Sequence, residues 1–465
     1  MFFSVHTLGC KLNQLETEAI ADSFSRKGLT QTFWNSDNST IRILNTCTVT
    51  SMAEQKARRI IRKVLRDFPD SFLIITGCYV QMEKPALASI KKEGEGRVFL
   101  VSGDDKDSLL DLPDIIAEAV VRDGSEQGSF LSALLTRWAD RGSESEVLSE
   151  AKIDGSFRFK PINFSSHVRA FLKIQDGCDN NCSYCRVSLA RGKSRSLGTE
   201  EALSELIALE KRGYAEAVLT GVNISQYNDP KYGGLPGLLN ALLEGTESIR
   251  LRLSSIEPEA LTEDFYEVIT NNRIRPHFHL SVQSGSRKIL KEMGRDPFDI
   301  RKAAARLRNL RDAPFLACDI ITGFPGETEE DFLETFKLCE EIGFSWIHAF
   351  PFSPRPGTAA AALPKKVSER EAGDRVGILT ELARKGRSEY IARFRGKEVE
   401  VIVEESRQNA LLGGSVQGVS ENYLKLLIKT EAEEAPKPGS LIRCKILHPG
   451  KGHIDAVAKH LTCLN

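Results

Sequence analysis

Residues 170–185 read AFLKIQDGCDNNCSYC, a short apolar run delivered straight into a turn-rich loop that carries three thiols in a CxxxCxxC spacing. The run opens a series of similar ones at 215–220, 249–255, 276–282, 314–322 and 344–350. Each of the first five precedes a helix-length segment, most clearly 199–212 and 328–342. Strands separated by crossover-length helices predict right-handed parallel βαβ units, and six of them predict either a closed barrel or a (β/α)6 partial barrel, with its site at the carboxyl ends of the strands. Cys178, Cys182 and Cys185 follow the first strand and fall at that end. Three soft thiolates on one short loop suit three irons of a [4Fe-4S] cluster, with the fourth iron left open to a substrate. A zinc loop is the competing reading, but it wants a fourth Cys or His, and no nearby His has the spacing. Three incidental buried cysteines are the remaining reading.

Upstream, FSVHT (3–7), IRILNT (41–46), FLIIT (72–76) and RVFLVS (97–102) alternate with helical patterns at 14–27, 52–67, 81–93 and 108–122. This predicts an open parallel α/β sheet over residues 1–122. Cys10, Cys47 and Cys78 are too far apart to form a linear motif, yet each directly follows one of these strands. Parallel strands bring all three to one carboxyl edge, where α/β folds build ligand sites, so a second three-thiol site competes with plain structural roles. From 123 to 160 the apolar period fades into Ser, Gly and acidic residues, the texture of a linker. The central unit then covers 161–395. Residues 396–465 hold short strand patterns at 397–403, 410–416, 422–430 and 440–447 with Gly and Pro turns, which predict a small β-barrel of about five strands.

The 465 residues carry 63 Lys and Arg against 64 Asp and Glu, so nucleic-acid contact requires local patches and not bulk charge. No apolar run approaches the ~18 residues of a membrane span, and the opening MFFSVHTLGC lacks a signal-peptide pattern. A cytoplasmic protein with no membrane partner is expected, and ten cysteines in a reducing cytosol point to metals or catalysis.

The CxxxCxxC loop with Tyr184 before its last cysteine resembles the radical S-adenosylmethionine enzymes. TLGCKLNQLETE, NTCTVTSMAEQKARRIIR and ITGCY, with ARGKSRS (190–196), TGVNI (220–224), LSSIEP (253–258), HLSVQSGS (279–286), GFPGETEEDF (323–332) and FPFSPRPGT (350–358), resemble the methylthiotransferase subfamily. Lys11 and Gln14 in TLGCKLNQ are similar to the branch acting on N6-threonylcarbamoyladenosine in tRNA. Ser188 stands where that family usually has Pro, Ser225 where it has Gly, and Asp296-Pro297 where it has an Arg-Tyr pair.

The resemblance implies two [4Fe-4S] clusters. One, on Cys178, Cys182 and Cys185, cleaves S-adenosylmethionine to a 5′-deoxyadenosyl radical, and the other, on Cys10, Cys47 and Cys78, holds the sulfur to be transferred. It also implies an S-adenosylmethionine site to which Tyr184, Gly221, Asn223, Gln283, Asp319 and Arg355 contribute, a low-potential electron-donor protein, a sulfur source of unknown identity, and a TRAM-like RNA-binding C-terminal barrel. Transfer to isopentenyladenosine tRNA or to a ribosomal-protein aspartate, and a noncatalytic iron–sulfur RNA-binding protein, are the alternatives. GFPGE, with Gly323, Pro325 and Gly326, is expected to allow close backbone approach to a ligand. His277 and His279 are expected to be structural. Lys56, Arg58, Arg59, Arg62, Lys63 and Arg66 crowd one helix after Cys47 and are weighed as a phosphate grip against a merely solvated face. Tyr423, Lys425 and Lys429 are the barrel's candidate RNA contacts, although residues 389–465 carry only 11 Lys and Arg against 10 Asp and Glu.

Overall fold

A computed structural model describes residues 1–123, 128–141, 155–165, 167–405, 415–430 and 435–464. The chain divides into two compact units: Met1–Ser166 with Asp176–Asn180 and Cys185–Ser194, and His167–Gln175 with Asn181–Tyr184 and Arg195–Asn465.

In the first unit, β1 (Phe2–Thr7), β2 (Thr30–Gln31), β3 (Ile41–Thr46), β4 (Phe72–Gly77) and β5 (Val98–Leu100) form a parallel sheet in the order β2-β1-β3-β4-β5. The central strands β3 and β4 are buried along their whole length, as near-continuous apolar runs in a doubly covered parallel sheet should be. Alternate residues serve opposite faces: Ile41, Ile43, Phe72 and Ile74 join one core cluster, while Leu44, Leu73 and Ile75 join the other. The helices α1 (Lys11–Arg26) and α2 (Ser51–Asp67) follow β1 and β3. α2 buries Ala57, Ile61 and Val64, a helical stripe that leaves its other face polar. α3 (Cys78–Met82), α4 (Lys84–Glu93) and α5 (Leu112–Asp123) follow. The stretch 123–160, expected to be linker, contains α6 (Gly128–Arg141), whose Leu131, Leu135 and Trp138 are buried in the first core cluster. Its apolar stripe is short and set in polar sequence, so composition hides it. Residues 142–154 lie outside the described residues.

The second unit contains the six expected strands, Ala170–Lys173, Glu216–Thr220, Arg250–Leu253, His277–Gln283, Phe315–Thr322 and Trp346–Pro351. They pair in parallel as two three-stranded sheets in chain order. Parallel bridges at Leu251 with Ile274 and at Ile256 with Leu280 connect the two sheets. Among the described residues no pairing joins the first strand to the sixth, so the arc is a partial barrel. The helix Glu369–Ala392 leads to a closed five-stranded barrel of Glu398–Val403, Ser415–Ser420, Lys425–Lys429, Leu441–Pro449 and Ala456–Cys463. The strand expected at 410–416 runs instead from Ser415 to Ser420, with 406–414 outside the described residues.

This barrel is seated on the amino ends of the (β/α)6 strands. Phe315, Tyr390 and Phe394 share one core cluster with Val399, Val401 and Leu426 of the barrel. Buried Glu216 accepts from Arg252 at 2.6 and 3.0 Å and from Arg275 at 2.8 Å, and Arg275 continues to Glu400 of the barrel at 2.7 Å. Burial alone would raise the Glu216 carboxyl, but the charges of Arg252 and Arg275 outweigh it and hold it down at about 2. Its contribution is therefore complete above the ordinary carboxylate value and is lost as pH falls through about 2. Glu216→Gln strands two buried guanidinium groups and should cost about 3–5 kcal/mol in chemical denaturation.

Candidate active site

In the first unit three neighbouring strands each end on a cysteine. Cys10 caps α1, Cys47 directly follows β3, and Cys78 is the first residue of α3 after β4. Because β1, β3 and β4 are adjacent and parallel, the three residues share one carboxyl edge. Two glycines permit the close packing. Gly9 has φ +111°, and a Cβ there would lie 2.7 Å from the Cβ and 3.0 Å from the Sγ of Cys47. Gly77, φ +102°, would place a Cβ 2.3 Å from the carbonyl of Thr46. Burial, with negative charge on Cys10 and Cys78 acting in the same direction, pushes the Cys47 thiol up to about 11. Cys10 is exposed as a residue, but the protein packed around its thiol raises it as well, while the charge of Arg191 opposes the rise. The three thiols thus lie within one another's fields, and a metal that deprotonates them relieves that cost.

The donor chemistry fits an iron–sulfur cluster better than zinc. Among the described residues no three His, Cys, Asp or Glu side chains converge on a single ion. One tetrahedral zinc requires that convergence, whereas a cubane offers each thiolate its own iron. All ten cysteines are thiols.

The CxxxCxxC loop is braced in each unit separately. In the first, Gly177 (φ +70°) packs so tightly on the 190–196 turn that a Cβ would lie 1.9 Å from the Lys193 carbonyl, and the Cys178 amide donates to Gly192 at 3.1 Å. Arg186, next to Cys185, is buried and donates to Glu83 at 2.9 Å and to Glu54 at 3.5 Å. In the second unit, Ser183 donates its amide to Met293 at 2.9 Å, and its carbonyl accepts from Ala360 at 2.8 Å. Tyr184 packs against the cluster formed by Ile289, Met293, Ile321 and Phe324. Arg295 donates to Cys182 Sγ at 3.8 Å and to the Ser281 carbonyl at 2.7 Å while forming a two-point ion pair with Glu257. Burial raises the Glu257 carboxyl and Arg295 opposes it.

The other residues singled out in the sequence also fall in the second unit. Gly221 follows its strand, where a Cβ would lie 2.9 Å from the Gln175 carbonyl, and the Asn223 amide donates to Gln175 at 2.8 Å. Gln283 ends its strand at φ +68°, a strained conformation for a non-glycine residue, and its buried Oε1 has no hydrogen-bond partner among the described residues. Asp319 is not at a strand end: it is the fifth residue of Phe315–Thr322, with its Oδ1 2.9 Å from His279 Nε2. His279, expected to be structural, stacks on His348 with ring centroids 5.0 Å apart. Arg355 is a loop residue yet only 3% exposed, and its carbonyl accepts from Thr358. In GFPGE, Gly323 has φ +70° and its amide donates to Glu327 at 2.6 Å.

Local reading missed Asn13, Arg186, Arg191, Glu257 and Arg295. Four of these lie within or beside quoted motifs, but nothing local distinguishes them from solvated polar residues. Tyr423 precedes the strand Lys425–Lys429 and is half-buried, its ring 4.4 Å from that of His277 and 5.6 Å from that of Phe315; Lys425 and Lys429 are exposed. On α2, Lys56, Arg59, Arg62, Lys63 and Arg66 are exposed, whereas Arg58 turns in to donate to the Tyr79 hydroxyl at 2.7 Å. No helix among the described residues is long and apolar enough to cross a membrane.

Residues 172–339 match the radical SAM superfamily, and residues 3–98 match a family described as uncharacterized protein family UPF0004. The threonylcarbamoyladenosine tRNA methylthiotransferase MtaB of Treponema pallidum is 38% identical over 96% of this chain and 98% of that protein. Its Bacillus subtilis namesake is 33% identical over 96% and 93%. The tRNA-2-methylthio-N(6)-dimethylallyladenosine synthase of Oceanobacillus iheyensis is 32% identical over 86% of this chain and 74% of that protein. Among solved structures, the radical S-adenosylmethionine methyltransferase TsrM of Kitasatospora setae aligns over 77% of this chain and 74% of its own, with a TM-score of 0.51 at 12% identity, a likeness of fold.

Proposed function

The chain belongs to the radical S-adenosylmethionine methylthiotransferases, and on that premise we propose that it converts N6-threonylcarbamoyladenosine, next to the tRNA anticodon, to its 2-methylthio derivative. The observation that carries this reading is the pair of cysteine triples, each following parallel strands at their carboxyl ends, in a chain similar to threonylcarbamoyladenosine methylthiotransferases over nearly its full length. Cys178, Cys182 and Cys185 would hold a [4Fe-4S] cluster that, when bound, supplies the electron for reductive cleavage of S-adenosylmethionine. Cys10, Cys47 and Cys78 would hold the second cluster, which would carry the sulfur being transferred after its methylation by another S-adenosylmethionine.

The chain's own groups do the rest. Tyr184 packs the radical loop against the second-unit core. Gln283 presents a buried amide oxygen with no partner among the described residues, an acceptor for an N–H or O–H of S-adenosylmethionine, and Asn223, Asp319 and Arg355 would complete that polar lining. Gly221 keeps the turn after its strand close to Gln175, so the lining has a fixed wall. A low-potential protein would deliver the electron.

The exposed basic face of α2 and the exposed Lys425 and Lys429 suit tRNA phosphates. Neutralising Lys56, Arg59 and Lys63 together should weaken tRNA binding and lower the salt slope by about 0.7–0.9 for each phosphate that is no longer neutralised. S-adenosylmethionine cleavage without tRNA should stay near wild type in the same variant, and an unchanged salt slope would assign this face to solvent. Removing the whole barrel is a poor test of RNA binding, because it would also strip Phe315 and Tyr390 of their cover.

Mass spectrometry of tRNA nucleosides tests the substrate. A strain lacking the protein should lose the 2-methylthio form and accumulate N6-threonylcarbamoyladenosine. Loss of methylthiolated isopentenyladenosine instead would overturn the substrate assignment.

A further inference from the structure

Asn13 sits between two of the turns that carry the N-terminal cysteines. Its Nδ2 donates to the carbonyl of Leu8 at 2.9 Å and to that of Thr46 at 3.1 Å, two residues before Cys10 and one before Cys47. Its Oδ1 accepts from Arg191 at 2.8 Å. Arg191 also donates to Glu16 at 2.9 and 3.2 Å and to both oxygens of Asp176 at 3.2 Å, and Glu16 accepts from Lys106 at 2.5 Å. Buried Glu16 and Asp176 thus lie against Arg191, and buried Lys106 pairs with Glu16. A cluster on three thiolates adds negative charge to this edge, and Arg191 is a cation whose field reaches Cys10, Cys47 and Cys78.

We propose that Asn13 and Arg191 are positioning residues for an iron–sulfur cluster on Cys10, Cys47 and Cys78, Asn13 by stapling the Cys10 and Cys47 turns together and Arg191 by holding Asn13 and offsetting the cluster's negative charge. This rests on the two-cluster reading above. Ligand-bearing turns must stay in place when the cluster is challenged, and supporting groups of this kind change metal affinity by roughly 10- to 100-fold. A nearby cation also favours the reduced, more negative cluster, so removing it lowers the reduction potential.

The test uses the full chain with Cys178, Cys182 and Cys185 replaced by Ala and reconstituted anaerobically, so that only the N-terminal cluster is read. Bleaching by a chelator and the midpoint potential from a spectroscopic redox titration are the readouts. Asn13→Ala should bleach about 10- to 100-fold faster at an unchanged potential. Arg191→Gln should bleach faster and titrate at a more negative potential, and Arg191→Lys should bring the potential back toward that of the parent. Equal bleaching and equal potentials in a parent that does hold iron would overturn the proposal while leaving the cysteine assignment standing. A parent without iron would overturn the cysteine assignment, and the proposal with it.

Discussion

Replacing Cys178, Cys182 and Cys185 with Ala should reduce 5′-deoxyadenosine formation to the level of the enzyme-free control and abolish methylthiolation. Under the proposed assignment these three thiols are the protein ligands of a cluster that leaves one iron open to S-adenosylmethionine. Wild-type protein reconstituted without oxygen should carry about eight irons, and the triple variant about four. Because Cys10, Cys47 and Cys78 all belong to the first compact unit, the variant's remaining four irons report directly on whether that unit still folds. Product formation by this variant would remove the radical assignment altogether.

The N-terminal triple variant, with Cys10, Cys47 and Cys78 replaced by Ala, should behave in the opposite way. It should still cleave S-adenosylmethionine in the presence of a strong reductant, since the CxxxCxxC loop is intact, and it should release no methylthiolated nucleoside. Its iron should also fall by about half. Ala differs from Cys only by the missing sulfur, so loss of product would report lost chemistry and not a crowded core. Iron near four in both wild type and this variant, or full product formation by it, would reduce the three thiols to packing residues.

Much of the architecture was legible locally. β3 and β4 read as apolar runs because both faces of each strand are buried, and the six strands of the partial barrel are recognisable by their alternation with crossover helices. The CxxxCxxC loop is legible for the same kind of reason: its ligands are neighbours in sequence and its turn is short. Cys10, Cys47 and Cys78 were only half legible, since their position after strands can be read but their convergence depends on the order β1-β3-β4. α6 was missed because three buried side chains in a polar stretch carry too little periodicity.

The polar scaffold of the site was decided by tertiary structure alone. Arg191 meets Asn13 across 178 residues of chain and Arg295 meets Cys182 across 113, distances over which no periodicity carries information. Tyr423 makes the same point from the barrel: its residue type suits RNA stacking, but seating the barrel on the strand ends turns the ring toward His277 and Phe315. Hydrophobic pattern and thiol spacing are local properties, so sequence by itself determined the parallel strands, most of the helices and the CxxxCxxC spacing. The direction a charged or aromatic side chain takes depends on which distant backbone covers it, because a buried polar group must find its partner wherever the fold places one.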